Sequence, residues 1–228
     1  MTNIDLRKQI LLDLKKKKGI DSKAQIVVAM DYSWSMMNLY RTGFVQRLVD
    51  RLFPVAMAFD DNEEFDFFLF DHGVSQLAPV TKDNYPRYIE ENVSGHMGGT
   101  NYAPVLKAIA DNKLKSGWFL GFGRKDVTPE DPIYVIFITD GDNSDHGETN
   151  RVIRDLSKKG IFIQFVGIGG ASFDYLRKLD DLDGRLIDNC NFFAADDIEK
   201  MSDEVLYDKL LTEFPGWIPQ ARSHKLIK

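Results

Sequence analysis

The chain has 228 residues, 43% hydrophobic and 28% charged, an ordinary globular balance that excludes a disordered, collagen-like or disulfide-framework protein. Its net charge of −6 is unevenly placed: residues 1–23 hold seven Lys/Arg against three Asp, a local +4, which leaves the body at −10 and argues against a general nucleic-acid surface. No apolar run approaches the roughly 18 residues of a membrane span, no apolar signal core opens the chain, and the single cysteine, Cys190, has no partner for an internal disulfide, so a cytoplasmic protein is expected.

Ile4, Ile10, Leu11 and Leu14 recur at helical spacing before Gly19. They predict a basic helix within residues 1–23 that a glycine terminates and that packs on a domain spanning 24–228. The run Lys15, Lys16, Lys17 and Lys18 reads as the solvated end of that helix, with weak membrane-surface contact as the alternative. Residues 24–30 are a continuous apolar run ending in Asp31, the pattern of a strand buried on both faces. Residues 44–59 have helical periodicity, and Pro54 inside them predicts a kink or a restart. Residues 65–70 and 74–80 read as strands hairpin-paired across Asp71-His72-Gly73. A short helix at 84–92 and a firmer one at 101–115 follow, with Trp118, Phe119 and Phe122 expected to cover core. Residues 133–139 form the clearest buried strand, followed by Asp140. A helix at 149–159, a strand at 161–168, a helix at 173–179, a strand at 192–194 and a closing helix at 198–214 complete the chain. This alternation predicts an α/β fold: a doubly wound, mostly parallel sheet with helices on both faces and one antiparallel edge strand.

The first strand runs into Asp31-x-Ser33-x-Ser35, at the carboxyl edge where open α/β sheets bind ligands. Thr100 follows Gly98-Gly99 at a helix mouth, and Asp140 follows another strand in Thr139-Asp140-Gly141. If those two strands are neighbours, five oxygen-bearing side chains converge. Carboxylate and hydroxyl oxygens suit a hard cation, Mg²⁺ first, with Mn²⁺ or Ca²⁺ as alternatives. Two carboxylates leave such an ion in want of one more acidic oxygen.

Asp31, Ser33, Ser35, Thr100 and Asp140 together resemble the metal-ion-dependent adhesion site (MIDAS) of von Willebrand factor type A (vWA) domains. The chain is also similar to the type A domains of tellurium-resistance (TerF-like) stress proteins. That similarity runs through Leu39-Tyr40, Val45-Gln46, Phe59-Asp60-Asp61, Leu69-Phe70, Ala78-Pro79-Val80 and the stretch from Gly98 to Val105. The resemblance implies a binding domain rather than an enzyme. Its two serines and threonine would hold the metal, and its aspartates would act directly or through water. The acidic residue of a protein partner would complete the coordination, in a bacterial tellurium-resistance or stress-response assembly. Trp34 stands where relatives very often carry glycine. Flanked by two inward-pointing serines, it is expected to face the partner, with Asn101 as a second partner-facing residue.

Other motifs carry less. Asp140-x-Asp142-x-Ser144 opens like a calcium loop but has Asp145 and Arg151 where glycine and glutamate are needed. Gly121-Phe122-Gly123-Arg124-Lys125 lacks phosphate-loop spacing, and Gly167-Ile168-Gly169-Gly170 lacks the dinucleotide pattern. His72, His96, His146 and His224 show no paired ligand spacing. The enzymatic alternative is a Mg²⁺-dependent phosphohydrolase with Asp31 as phosphoryl acceptor; it lacks the acid expected two residues later, where Ser33 stands.

Overall fold

The computed structural model describes residues 2–95, 97–114, 126–170, 172–195 and 198–228. Trp118, Phe119 and Phe122, the 121–125 stretch and His96 lie outside the described residues. Six strands form one sheet: β1 (Gln25–Asp31), β2 (Phe65–Phe70), β3 (Val74–Gln76), β4 (Ile133–Thr139), β5 (Ile161–Gly167) and β6 (Cys190–Ala194). Their order is β3-β2-β1-β4-β5-β6, all parallel except β3, which runs antiparallel on the β2 edge. β1, β2, β4 and β5 are mostly apolar because both their faces are covered, whereas the edge strand β3 is short, polar and exposed. In β4, Tyr134, Ile136 and Ile138 enter one core while Ile133, Val135 and Phe137 enter the other. The chain reverses winding between β1 and β4. These strands pair with Met30 opposite Ile138, so the residues that follow, Asp31 and Thr139, end side by side at the carboxyl edge.

The first core is covered by α1 (Asn3–Lys17), α3 (Phe44–Phe59), α4 (Tyr88–Asn92), α8 (Asp203–Leu210) and α9 (Phe214–Ser223). The second is covered by α5 (Ala103–Leu114), α6 (His146–Leu156) and α7 (Asp174–Asp180). A short α2 (Met37–Arg41) follows the 3₁₀ turn Trp34–Met36. Neither was expected from the sequence, since one turn of helix is too short to show a period.

The leader helix starts with a capping box between Thr2 and Asp5 and ends where Gly19 takes φ +68°. It buries Leu11 and Leu14 against α3 and α8. Its lysines are not uniformly solvated. Lys15 Nζ donates to the Ala58 carbonyl at 2.8 Å and sits 3.8 Å from the Phe59 ring centre, and burial holds its pKa below the ordinary lysine value. Lys18 pairs with Asp208 at 2.8 Å, whereas Lys16 and Lys17 are exposed.

Three element expectations change. Pro54 does not restart the helix, and α3 runs unbroken from Phe44 to Phe59. A proline at 54 frees the carbonyl four residues back, and that carbonyl, of Asp50, accepts from Arg7 Nη1 of α1 at 3.3 Å. The second hairpin strand stops at Gln76 because Pro79 cannot donate to a ladder, and Val80 returns only as an isolated bridge to Phe65. The closing helix is two. The Ser202 hydroxyl caps α8 at the Val205 N–H, and a break at 211–213 precedes α9, whose Pro215 belongs in a first turn.

Candidate metal centre

Asp31 ends β1 fully buried, and its carboxylate is held on both oxygens. Oδ1 accepts the Ser33 N–H at 2.8 Å, a tight local turn that aims the loop back over the strand end, and Oδ2 accepts the Thr139 hydroxyl at 2.5 Å. Tyr40 from α2 donates to the Asp31 carbonyl at 2.9 Å. Above Asp31 lies a chain of oxygens: Ser33 Oγ is 3.0 Å from Ser35 Oγ, and the Ser35 hydroxyl donates to Asp140 Oδ1 at 2.7 Å. Burial, opposed by the Thr139 and Ser33 bonds and aided by the charge of Asp140, pushes the Asp31 carboxyl up to about 6. Burial likewise raises Asp140, against its bond from Ser35. Two carboxylates and two hydroxyls thus share one patch, and among the described residues no cationic side chain is bonded to any of them.

Thr100 reaches the same edge through its backbone. Gly98 forms a parallel bridge with Ser33 and accepts the Trp34 N–H at 3.2 Å, while the Thr100 carbonyl accepts the Ser144 N–H at 2.9 Å. The Thr100 hydroxyl makes no hydrogen bond among the described residues. Gly98 packs closely under the β2–β3 turn: a Cβ there would stand 2.3 Å from His72 Nδ1 and 2.5 Å from Asp71 Oδ2, so those side chains would have to shift. The structure therefore links four of the five predicted oxygens by hydrogen bonds, directly or through the Asp31 turn, and lays the loop of the fifth beside them. Among the described residues no three His, Cys, Asp or Glu cluster as metal ligands; the oxygens brought together here are two carboxylates and two hydroxyls, a donor set that suits a hard cation.

Trp34 is 62% exposed, while the His146 ring stacks on Tyr175 with centres 3.7 Å apart and bonds Asp142 at 2.6 Å. Asn101 is half-buried; its N–H donates to the Asp71 carbonyl at 2.8 Å, which moors the Thr100 loop to the β2–β3 turn.

Sequence reasoning missed the residues that hold this arrangement. Asp145 accepts the N–H groups of Tyr102 at 3.0 Å and Ala103 at 2.9 Å, the Asn143 amide at 2.5 Å and the Thr149 hydroxyl at 3.1 Å. It thus caps α5 from a distant segment, which is why that helix begins at Ala103. Burial would raise its pKa, but these donors hold the carboxyl below its ordinary value. Buried Tyr102 donates to the Gly141 carbonyl at 2.6 Å and lies 3.2 Å from Thr139 Oγ1, joining the Thr100 and Asp140 loops. Thr139 had a signal, since it precedes Asp140 and ends the strand beside Asp31. Asp145 had none, because the α5 N–H groups it caps, of Tyr102 and Ala103, lie more than 40 residues away.

Comparison with known proteins agrees with this architecture. The vWA-TerF-like family, described as the vWA found in the TerF C terminus, matches residues 23–227. The chain is 35% identical over 237 aligned residues to the uncharacterized protein YcbR of Bacillus subtilis (strain 168), covering all of this chain and 91% of that one. Among solved structures, proximal thread matrix protein 1 of the mussel byssus superposes with a TM-score of 0.59 at 20% identity, over 88% of this chain and 48% of that one. A second structure of that protein, with a zinc-occupied MIDAS motif, gives 0.57 at 21% identity and the same coverage. The chain spans about half the length of these mussel chains, and at that identity they share its fold alone. With a family match reaching from the foot of β1 almost to the C terminus, on a sheet wound as vWA domains are wound, the chain belongs to the vWA-TerF-like family of von Willebrand factor type A domains.

Proposed function

We propose that this chain is a metal-dependent protein-binding module that holds Mg²⁺ and captures an Asp or Glu of a partner protein. The observation that carries the reading is the run of oxygens from Ser33 through Ser35 to Asp140 over a buried, fully bonded Asp31. Ser33, Ser35 and Thr100 would hold the ion by their hydroxyls and Asp140 by its carboxylate, while Asp31 supplies charge from beneath. When bound, the cation supplies an open coordination position for an acidic oxygen. Trp34 and Asn101 flank that position as partner-facing residues. The zinc-occupied MIDAS of the mussel protein is a precedent on the same fold, and Mn²⁺ or Ca²⁺ are the alternative ions for this chain. The reading extends to a cytoplasmic tellurium-resistance or stress-response assembly in bacteria. Among the described residues no helix is long and apolar enough to cross a membrane.

Binding rather than phosphoryl transfer is favoured because both Asp31 oxygens are already accepting hydrogen bonds and Ser33 cannot act as the acid. Titration calorimetry with Mg²⁺ tests the metal. We expect one site, abolished by Asp140→Ala and weakened at least about tenfold by Ser35→Ala, with circular dichroism unchanged. Undiminished Mg²⁺ binding by Asp140→Ala would remove the site. Affinity capture from native lysate, with and without EDTA and with Asp140→Ala as control, tests the partner. Turnover of phosphate esters that Asp31→Asn abolishes would reverse the order of the two readings.

A further inference from the structure

Beside the candidate metal site runs an open groove of about 750 Å³. One wall is the Trp34–Met36 turn and α2; the other is α4 and the loop that leads to Gly98. Its apolar lining includes Trp34, Met37, Tyr40, Ile89, Val93 and Met97. Trp34 and Met37 are 62% and 44% exposed, two of the eight large apolar side chains so exposed among the described residues. Adjacent exposed aromatic and thioether groups are what a protein-binding face presents.

Both walls are continuous with the candidate ligand loops. Trp34 lies between Ser33 and Ser35, and Met97 immediately precedes Gly98, whose carbonyl receives the Trp34 N–H. Whatever occupies the groove is therefore next to whatever docks on the metal. Among the described residues the groove also carries one cation without a carboxylate partner, on a protein of net charge −6. On one wall Arg87 is matched by Glu90 at 3.2 Å and Glu91 at 3.6 Å. On the other, exposed Arg41 donates to Asn38 Oδ1 at 2.9 Å and has no carboxylate partner among the described residues.

We infer that the partner presents a short acidic and apolar segment. One Asp or Glu of it docks on the metal, a neighbouring Trp, Phe or Leu seats in the groove, and a second acidic residue meets Arg41. This inference rests on the metal-dependent binding reading given above. A cleft of this size holds one or two bulky side chains of an extended chain, and a buried apolar anchor beside a charge-assisted contact is the arrangement that concentrates binding energy.

The test is selection of a phage-displayed random dodecapeptide library on the immobilised full-length chain in Mg²⁺, with one arm eluted by EDTA and one by acid. The expected result is that EDTA-eluted peptides are enriched in an acidic residue within a few positions of a Trp, Phe or Leu, with a second acid. Met37→Asp and Arg41→Glu should each weaken the enriched peptide about tenfold or more by fluorescence anisotropy, while leaving Mg²⁺ calorimetry unchanged. Enriched peptides without an apolar residue, affinity unchanged in both variants, or no enrichment in either arm would overturn the inference. Peptides that appear only in the acid arm, ignore EDTA and still lose affinity in Met37→Asp and Arg41→Glu would keep the groove and sink the metal reading.

Discussion

Asp145 shows how much of the candidate site hangs on a single side chain outside the predicted ligand set. It ends the loop after β4 and takes the first free N–H groups of α5, so it fixes where that helix begins and hence where Thr100, three residues earlier, must lie. Asp145→Ala leaves two backbone donors and the Asn143 amide without their acceptor, at a cost of about 1–3 kcal/mol. We expect a lower denaturation midpoint and, through the loosened Thr100 loop, Mg²⁺ affinity reduced about 10–100-fold; Asp145→Asn, which keeps a carbonyl oxygen, should restore part of both. Calorimetry on the two variants at equal fraction folded checks this, and Mg²⁺ affinity equal to wild type in Asp145→Ala would confine the residue to stability. At this scale Asp31, Ser33, Ser35 and Asp140 were legible in the sequence because each lies in a local motif. Asp145 and Tyr102 were not, because their work is done between segments distant in the chain.

At the scale of elements, α1 and α3 depend on one another. The apolar stripe of the leader helix predicted that it would dock, and Leu11 and Leu14 do so. The sequence did not say that Pro54 would leave a carbonyl for Arg7 to satisfy, or that Arg7 and Arg51 would share Asp203 at 2.8 Å each. Leu11→Ala removes a fully buried side chain and should cost about 2–5 kcal/mol in urea denaturation. Deleting residues 1–19 should lower the thermal midpoint further, since it uncovers apolar surface on α3 and α8 and removes the partners of Ala58 O and Asp50 O. An unchanged midpoint in the deletion would mean that the helix adds nothing to the fold.

At the scale of the molecule the acidic body has a consequence at α7, away from the candidate metal site. Asp180, closing α7, is half-buried near Glu213, Asp188 and Asp181, with Arg185 the opposing charge; burial first, and then these carboxylates, push it up to about 7. The folded state therefore holds a proton that the unfolded chain, titrating near 3.8, has lost, so this group's contribution to stability declines as pH rises from 3.8 to about 7. Asp180→Asn should flatten that decline and raise the thermal midpoint at pH 8, while matching wild type near pH 4; equal midpoints at pH 8 would show that the repulsion is screened. The sheet itself was legible: 24–30, 65–70, 133–139 and 161–168 are predominantly apolar, broken only by Gln25, Asp66 and Gln164 and the end residues Thr139 and Gly167, too dense for strands with a wet face, and their alternation with amphipathic stretches leaves a doubly wound sheet as the economical solution. By itself, then, the sequence determined the fold class, the buried parallel strands and the docking of the leader helix, all consequences of periodicity and apolar patterning. Only the tertiary structure decided that β1 and β4 are neighbours, that the Thr100 loop is moored between Asp71 and Ser144, and that Trp34 opens onto a groove, because each of these depends on which distant surfaces meet when both faces of the sheet are buried.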